Sequence, residues 1–166
     1  MKSNKTGVLI VNLGTPDHYS VPDVRKYLRE FLMDGRVIDI PHFNRWLLVN
    51  LIIAPFRAPK SAKVYQELWT EKGSPLMFYG VEIEKKLQLA LGDDFIVKLG
   101  MRYQNPSIKT ALEQLQGSNI SSLIVLPLFP QYASATTGSI HQKVMEQIRE
   151  WENIPELHFI NGYCNN

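Results

Sequence analysis

Three cations, Arg57, Lys60 and Lys63, follow directly on WLLVNLIIAPF (46–56), the most apolar window of the chain. Cations so placed commonly lay their stems along an apolar helix flank and keep their heads in water. The same pattern suits a flat, dianionic ring, with apolar side chains against its face and fixed positive charge for its carboxylates. A second pair, Arg102-Tyr103, ends a strand-like stretch, where it can cap a sheet or meet a ligand at the strand's carboxyl end. The third group is PQYASATTGS (130–139), a polar tip followed by small hydroxyl residues. It follows the run Leu123-Ile124-Val125-Leu126, of the kind shown by a strand buried on both faces. A buried strand opening into a small-residue loop and then a helix is how open α/β sheets place a ligand.

Other chemistries are poorly served. The four histidines, His18, His42, His141 and His158, stand apart from one another and from cysteine at ligand spacing. Gly14-Thr15-Pro16 follows the first strand but belongs to neither G-x-G-x-x-G nor G-x-x-x-x-G-K-[ST], so the spacing speaks against a nucleotide. The single cysteine, Cys164, excludes an internal disulfide framework and fits a reducing cytoplasm. With 45% hydrophobic and 20% charged residues over 166 positions and a net charge of +2, the chain reads as one globular domain. Nothing in that charge balance points to nucleic acid. The lysine-flanked amino-terminal apolar run is too short for a signal peptide and reads as a strand.

The elements that position these groups alternate. Residues 7–13 form a β-branched first strand. Ser20-Val21-Pro22-Asp23 reads as a variant capping box, and Val24, Tyr27, Leu28, Phe31 and Leu32 follow at helical spacing. Asp34-Gly35 and Pro41 mark an irregular crossing. Helices are expected over 62–69 and 77–91, the second closed by Gly92, with a loop at Lys72-Gly73-Ser74-Pro75. Strand two is Phe95–Tyr103. Pro106 opens a helix that Gly117 closes. Strand three is 122–128, 134–139 is a loop, the next helix carries Ile140, Val144, Ile148 and Trp151, and 157–160 is a fourth strand. Such alternation predicts an α/β domain with a parallel sheet and right-handed crossovers. The long connection between strands one and two reads as an insertion or an elaborated crossover. The chain stops just past a strand with no closing helix, which reads as a piece of a longer protein.

Pro130-Gln131-Tyr132-x-Ser134-x-Thr136-Thr137-Gly138-Ser139 closely resembles a signature of the ferrochelatases, which insert ferrous iron into a porphyrin. The likeness runs through most of the chain. Gly7-Val8-Leu9-Ile10-Val11-Asn12-Leu13-Gly14-Thr15-Pro16 looks like the family's opening. Phe31-Leu32-x-Asp34, Pro41, Arg57-Ala58-Pro59-Lys60, Tyr65, Trp69, Gly73-Ser74-Pro75-Leu76 and Gly100-Met101-Arg102-Tyr103 match further blocks. The resemblance implies a Rossmann-like three-layer chelatase lobe, α/β, with a four-stranded parallel sheet and helices on both faces. It spans 1–166, with an inserted porphyrin-lip segment at about 35–76. Ferrochelatases have two such lobes with the porphyrin cleft between them, and only the amino-terminal one is matched.

By the same resemblance, Leu13 stands where the family sets a residue against the metal-facing region of the macrocycle. Some members carry methionine or tyrosine there, and leucine cannot be an axial ligand. Arg57 and Lys60 match cations near the propionates, and Tyr65 and Ser74 match porphyrin-pocket residues. Arg102 and Tyr103 match polar residues on the distal side, as auxiliary catalytic candidates. Phe129 and Tyr132 flank the loop below the ring. Where some relatives have a cysteine that ligates an iron–sulfur cluster, this chain has Ser134, so no cluster is expected. No resident cofactor or metal ligand is implied, and Fe2+ is the substrate metal. The family's catalytic histidine lies in a Ser-Ala-His-Ser-Leu-Pro-like segment with a later acidic partner, and neither occurs here. The expected partners are the porphyrin, protoporphyrin or coproporphyrin, and the carboxyl-terminal lobe. Contact of the 46–56 lip with a membrane surface and self-association of the lobe are further expectations. A cobalt or nickel chelatase of the same fold, and a non-catalytic tetrapyrrole-binding module, are the alternatives. The pocket is expected at the carboxyl ends of the strands, bordered by Leu13, Arg102 and residues 129–134.

Overall fold

The computed structural model describes residues 5–164. Its four strands are β1 (Thr6–Gly14), β2 (Phe95–Tyr103), β3 (Ser122–Pro127) and β4 (Glu156–Phe159). They form one all-parallel sheet in the order β2-β1-β3-β4. The helices are α1 (Val21–Leu32), α2 (His42–Leu47), α3 (Ala54–Leu68), α4 (Pro75–Leu91), α5 (Ile108–Gly117) and α6 (Ser139–Ile148), with π-helical stretches at Leu48–Ile53 and Ser134–Gly138. The chain divides into two compact units. One comprises 5–13, Tyr79–Arg102 and 106–164; the other comprises Gly14–Phe78 and Tyr103–Asn105.

The first unit is built on the sheet. β1 pairs with β3 from Thr6↔Ser122 to Val11↔Pro127, and β3 pairs with β4 from Ser122↔Glu156 to Val125↔Phe159. Successive strand side chains alternate between faces. Leu9, Val11, Leu123 and Val125 therefore share one face, where they pack with Ile108, Leu112 and Leu115 of α5 and Ile140, Val144 and Ile148 of α6. Those helical residues recur every three or four positions, so each helix turns one apolar stripe to the sheet. Fully burying each large aliphatic side chain is worth about 1.5–3 kcal/mol, which makes this layer the main source of the unit's stability. α4 lies on the opposite face, where Gly80 meets Leu99 so closely that a Cβ would stand 3.0 Å from the leucine side chain. The parallel sheet is the one anticipated from the alternating elements, and helices on both of its faces are the three-layer arrangement that the resemblance implied.

The second unit is helical. Ser20 caps α1, its Oγ accepting from the Asp23 N–H at 3.3 Å and donating to the Asp23 carboxylate at 2.5 Å. Val24, Leu28 and Leu32 of α1 are buried. Ala54, Ala58 and Ala62 are buried along one side of α3, and the absence of larger side chains there lets another helix approach closely. Arg45 donates from Nη1 to the carbonyls of Ile38 and Ile40, at 2.9 and 3.2 Å, and so holds the irregular crossing in place.

Several boundaries differ from those anticipated, each for a local reason. The helix expected over 62–69 belongs to a longer one, because the apolar window before it is helical too. Pro55 has no N–H to offer and its ring crowds the preceding turn, so the helix loosens to i→i+5 spacing over Leu48–Ile53. The Ala54 N–H accordingly donates to the Val49 carbonyl. α4 begins two residues earlier than expected, with Pro75 at its first position and the Ser74 carbonyl accepting from the Phe78 N–H at 3.0 Å. Pro106 does not open α5; Ser107 does, its Oγ accepting from the Thr110 N–H at 3.1 Å. Residues 134–139, expected as a loop, form a π turn that runs straight into α6, with the Gly138 N–H donating to the Ala133 carbonyl at 3.1 Å.

Candidate functional site

Because the sheet is parallel, β1, β2 and β3 all end at one edge. Leu13 and Arg102 lie in the last two residues of β1 and β2, and Phe129 lies two residues past β3, so that edge carries all three as expected. Phe129 is half-buried and packs against the core, whereas Tyr132 at the tip is 55% exposed. The Pro130 carbonyl accepts from the N–H groups of Tyr163 and Cys164, at 2.9 and 3.1 Å, which fixes the loop from outside. The Arg102 Nε–H donates to the Ser139 Oγ at 2.6 Å, and Ser139 is fully buried.

The helical unit holds the other candidates. Arg57 and Lys60 are exposed on α3, and Tyr65 lies further along the same helix, half-buried. The Tyr27 hydroxyl donates to that of Tyr65, and their rings meet edge-on at 6.2 Å. Burial pushes the Tyr27 hydroxyl far above its ordinary range, and the neighbouring Tyr65 pushes it further. Burial also raises Tyr65, while the hydrogen bond from Tyr27 and the charge of Arg57 pull it back down. Both phenols are therefore neutral at physiological pH, Tyr27 as donor and Tyr65 as acceptor of the bond between them.

Ser74 is buried, and its Oγ donates to the Thr15 Oγ1 at 2.9 Å, tying the loop after β1 to the loop before α4. Tyr103 is fully buried. Its hydroxyl donates to the Asp34 Oδ2 at 2.8 Å, and its ring meets Phe31 edge-on at 5.2 Å. Gln104 follows with φ +65°, a conformation held by Glu30, which accepts from both its backbone N–H and its side-chain amide. Gly14 sits at φ +115°, with the Tyr103 carbonyl only 2.0 Å from where a Cβ would be. No other residue type fits there without moving the backbone.

Tyr27, Glu30 and Asp34 are the supporting residues that sequence reasoning passed over. Tyr27 read only as part of an apolar helix stripe, and Glu30 carried no signal in the chain order. Asp34 stood in a matched block, but nothing in the chain order tied it to Tyr103.

Beside α3, the apolar window is exposed in part. Phe43, Trp46, Leu51, Ile52 and Phe56 lie 45–72% exposed, while Val49 and Ala54 are fully buried. Single exposed apolar residues are ordinary, but five large ones between residues 43 and 56 make this the most exposed apolar stretch of the helical unit. Three of the histidines serve local structure. His18 lies tilted against the Tyr19 ring at 3.9 Å and accepts from the Ser20 N–H. His158 lies 3.3 Å from Glu156. His141 meets the Phe159 ring edge-on at 4.8 Å, and burial holds its imidazole below the usual range despite a hydrogen bond with the Ile160 backbone. Among the described residues no three His, Cys, Asp or Glu side chains gather as a metal site.

A parallel three-layer α/β unit with an arginine, an aromatic loop and a small-residue helix start at one strand edge belongs to the open α/β sheets, a class whose ligands commonly lie at the carboxyl ends of the strands. The ferrochelatase family model matches residues 5–166, and the chain belongs to that family. It is 50% identical over 161 residues to a ferrochelatase of Coxiella burnetii strain Dugway 5J108-111, covering 97% of this chain and 44% of that relative. It is also 50% identical over 159 residues to a ferrochelatase of Legionella pneumophila strain Corby, covering 96% of this chain and 47% of the relative. The chain thus spans about half the length of the curated relatives it matches.

Proposed function

We propose that this chain is the amino-terminal half of a ferrochelatase, a lyase that inserts Fe2+ into protoporphyrin IX or coproporphyrin III in haem biosynthesis. The observation that carries the reading is the 50% identity to ferrochelatases over 97% of the chain, together with the motif-bearing residues at the strand edge. Metal insertion needs two pyrrole N–H protons to leave, a planar ring to pucker and Fe2+ to shed its waters. Residues of this chain supply binding and distortion. Arg57 and Lys60 hold the propionates, Tyr65 and Ser74 line the pocket, and Leu13, Phe129 and Tyr132 give the macrocycle apolar contact. Arg102 and Tyr103 serve the distal side, Arg102 directly and Tyr103 from its buried place through the backbone it fixes. Fixed contacts that hold a ring bent turn binding energy toward the transition state. Proton acceptance falls to a histidine and a carboxylate of the carboxyl-terminal half, so residues 1–166 alone bind porphyrin but do not insert metal at an enzymatic rate. Phe43, Trp46, Leu51, Ile52 and Phe56 form a lip that touches a membrane surface, and the protein is cytoplasmic and membrane-peripheral.

The test is a fluorescence titration of porphyrin with Arg57→Ala and Lys143→Ala variants. A charge-assisted contact with a carboxylate is worth roughly 1.5–3 kcal/mol, so Arg57→Ala should weaken binding by about tenfold or more. Lys143 is a surface residue 3.8 Å from Glu146, and its loss should change nothing measurable. Equal affinities for the two variants would remove Arg57 from the site. Anaerobic metallation by the chain alone, at the rate of a complete ferrochelatase, would place the base within these residues after all.

A further inference from the structure

α1 has opposite characters on its two sides. Val24, Leu28 and Leu32 are buried, while Pro22, Arg25, Lys26, Arg29 and Glu30 recur at the same three-to-four spacing on the other side. Together with Gln104, those five line an open cavity of about 480 Å³ that lies wholly within the helical unit. A cavity of that size has room for a small molecule, beyond a single ion.

Arg25, Lys26 and Arg29 bring three cations to this cavity, in a chain whose net charge is only +2. Its one carboxylate, Glu30, is engaged by Gln104, accepting from the backbone N–H at 3.0 Å and from the side-chain amide. Lys26 lies 3.2 Å from Asp17, but both are exposed, and such a pair contributes little. Among the described residues neither Arg25 nor Arg29 has an ion-pair partner. Like charges four positions apart on a helix repel, so the arrangement costs α1 stability. Arg25 is half-buried with its Nε lacking a hydrogen-bond partner, and Gln104 is buried with its Oε1 lacking one. A cation drawn partly out of water beside other cations is unfavourable, and an anion among them relieves it.

The donors select the anion. Arginine and lysine side chains donate hydrogen bonds and cannot accept them. One guanidinium fork already satisfies both oxygens of a carboxylate. Two forks and an ammonium exceed that need and match a phosphoryl group, which presents three terminal oxygens and a charge of about −1.5 to −2 at neutral pH. We infer that the cavity beside α1 binds a phosphoryl group, carried by a small phosphate ester or a lipid headgroup, with Arg25 and Arg29 pairing with its oxygens and Lys26 adding charge. None of the lining residues is among those proposed to hold porphyrin, so this is a second site.

Calorimetric titration of the 166-residue chain with inorganic phosphate, glycerol 3-phosphate and acetate, at matched ionic strength, tests it. Both phosphates should bind, and acetate should bind about tenfold more weakly or worse. Arg25→Gln and Arg29→Gln should each weaken phosphate binding about fivefold or more, and together abolish it. Lys86→Gln removes the same charge from an exposed site on α4 and should change nothing. Arg25→Lys keeps the charge but loses the fork, and should weaken phosphate binding at an unchanged thermal midpoint, which separates lost pairing from lost folding. Glycerol 3-phosphate should raise the midpoint of the parent chain and leave that of the double variant unmoved. No phosphate binding by the parent chain, acetate binding as tight as phosphate, or an equal loss in Lys86→Gln would each overturn the inference.

Two further measurements fix the source of the group and the independence of the site. With vesicles containing phosphatidic acid, a loss of co-sedimentation in the Arg25→Gln, Arg29→Gln chain assigns the phosphoryl group to a lipid headgroup. Unchanged co-sedimentation, with glycerol 3-phosphate binding lost, assigns it to a soluble ester. Porphyrin affinity by fluorescence should be the same in the parent chain and the double variant. A double variant that loses porphyrin as well would give these cations to the propionates and overturn the phosphoryl assignment. If the parent chain binds phosphate but no porphyrin, the proposed function falls and the second site stands.

Discussion

Tyr103→Phe removes one hydroxyl from the interior and leaves the ring contacts with Phe31 and Tyr27 in place. The lost interaction is a donor to the Asp34 carboxylate at 2.8 Å from a tyrosine with no exposure. Hydrogen bonds to charged groups contribute roughly 1.5–3 kcal/mol. Asp34 is only half-buried and its Oδ1 keeps the Arg36 N–H at 2.8 Å, so water can replace part of what is lost. The expected cost is therefore at the lower end, about 1–2 kcal/mol. For a chain of this length that corresponds to a fall of roughly 2–8 °C in Tm. Thermal unfolding followed by circular dichroism measures it. In an Asp34→Asn background the same substitution should cost less than half as much, because the acceptor no longer carries charge. Porphyrin affinity measured on the folded Tyr103→Phe chain should change little. A Tm within about 1 °C of the parent (~0.3 kcal/mol), together with weakened porphyrin binding, would refute the reasoning, since the hydroxyl would then be serving the ligand and not Asp34.

Gly14→Ala should destabilise far more than Gly73→Ala. Both glycines have positive φ, which alone costs about 1–2 kcal/mol, but a Cβ at Gly14 meets the Tyr103 carbonyl at 2.0 Å and one at Gly73 meets nothing within 4 Å. Urea denaturation of both variants checks the difference, and equal losses would mean that the loop after β1 can shift freely. His141 is held below its usual value of 6.5 by burial. The unfolded chain therefore takes up a proton before the folded one does, so the stability His141 supports is present above about pH 6.5 and falls as the pH drops below it. His141→Gln should flatten the dependence of urea stability between about pH 7.5 and 5.5, and an unchanged slope would assign it to another group. Leu51→Glu with Ile52→Glu should abolish co-sedimentation of the chain with anionic lipid vesicles at no cost in Tm, since these side chains are 57% and 56% exposed. Unchanged sedimentation would remove the membrane role of the lip.

The strands, the helix stripes and the strand-edge positions of Leu13, Arg102 and Phe129 were legible in the chain order. Each rests on local information: β-branched runs, three-to-four spacing, a proline or glycine at a boundary. In a parallel sheet, strand ends alone decide which residues share an edge. The cations after the apolar window were legible for the same reason, being adjacent in sequence.

Other features depended on atoms far apart in the chain. Ser134 to Ser139 has the composition of a loop, and only the packing of α6 on the sheet makes Ser134–Gly138 a π turn with Thr137 and Gly138 buried. The 46–56 window reads as uniformly apolar, yet Val49 and Ala54 are buried while Leu51 and Ile52 face out, because Pro55 resets the helical spacing just there. Tyr103 reads as a site residue beside Arg102, but consecutive strand residues point to opposite faces. One of the pair therefore reaches Ser139 while the other is sealed against Asp34, 69 residues away in the chain. Composition and spacing determine which elements form and where a ligand edge can lie. Which side chain at that edge is interior support and which can meet a ligand was decided by long-range packing, because that depends on what the fold sets opposite each residue.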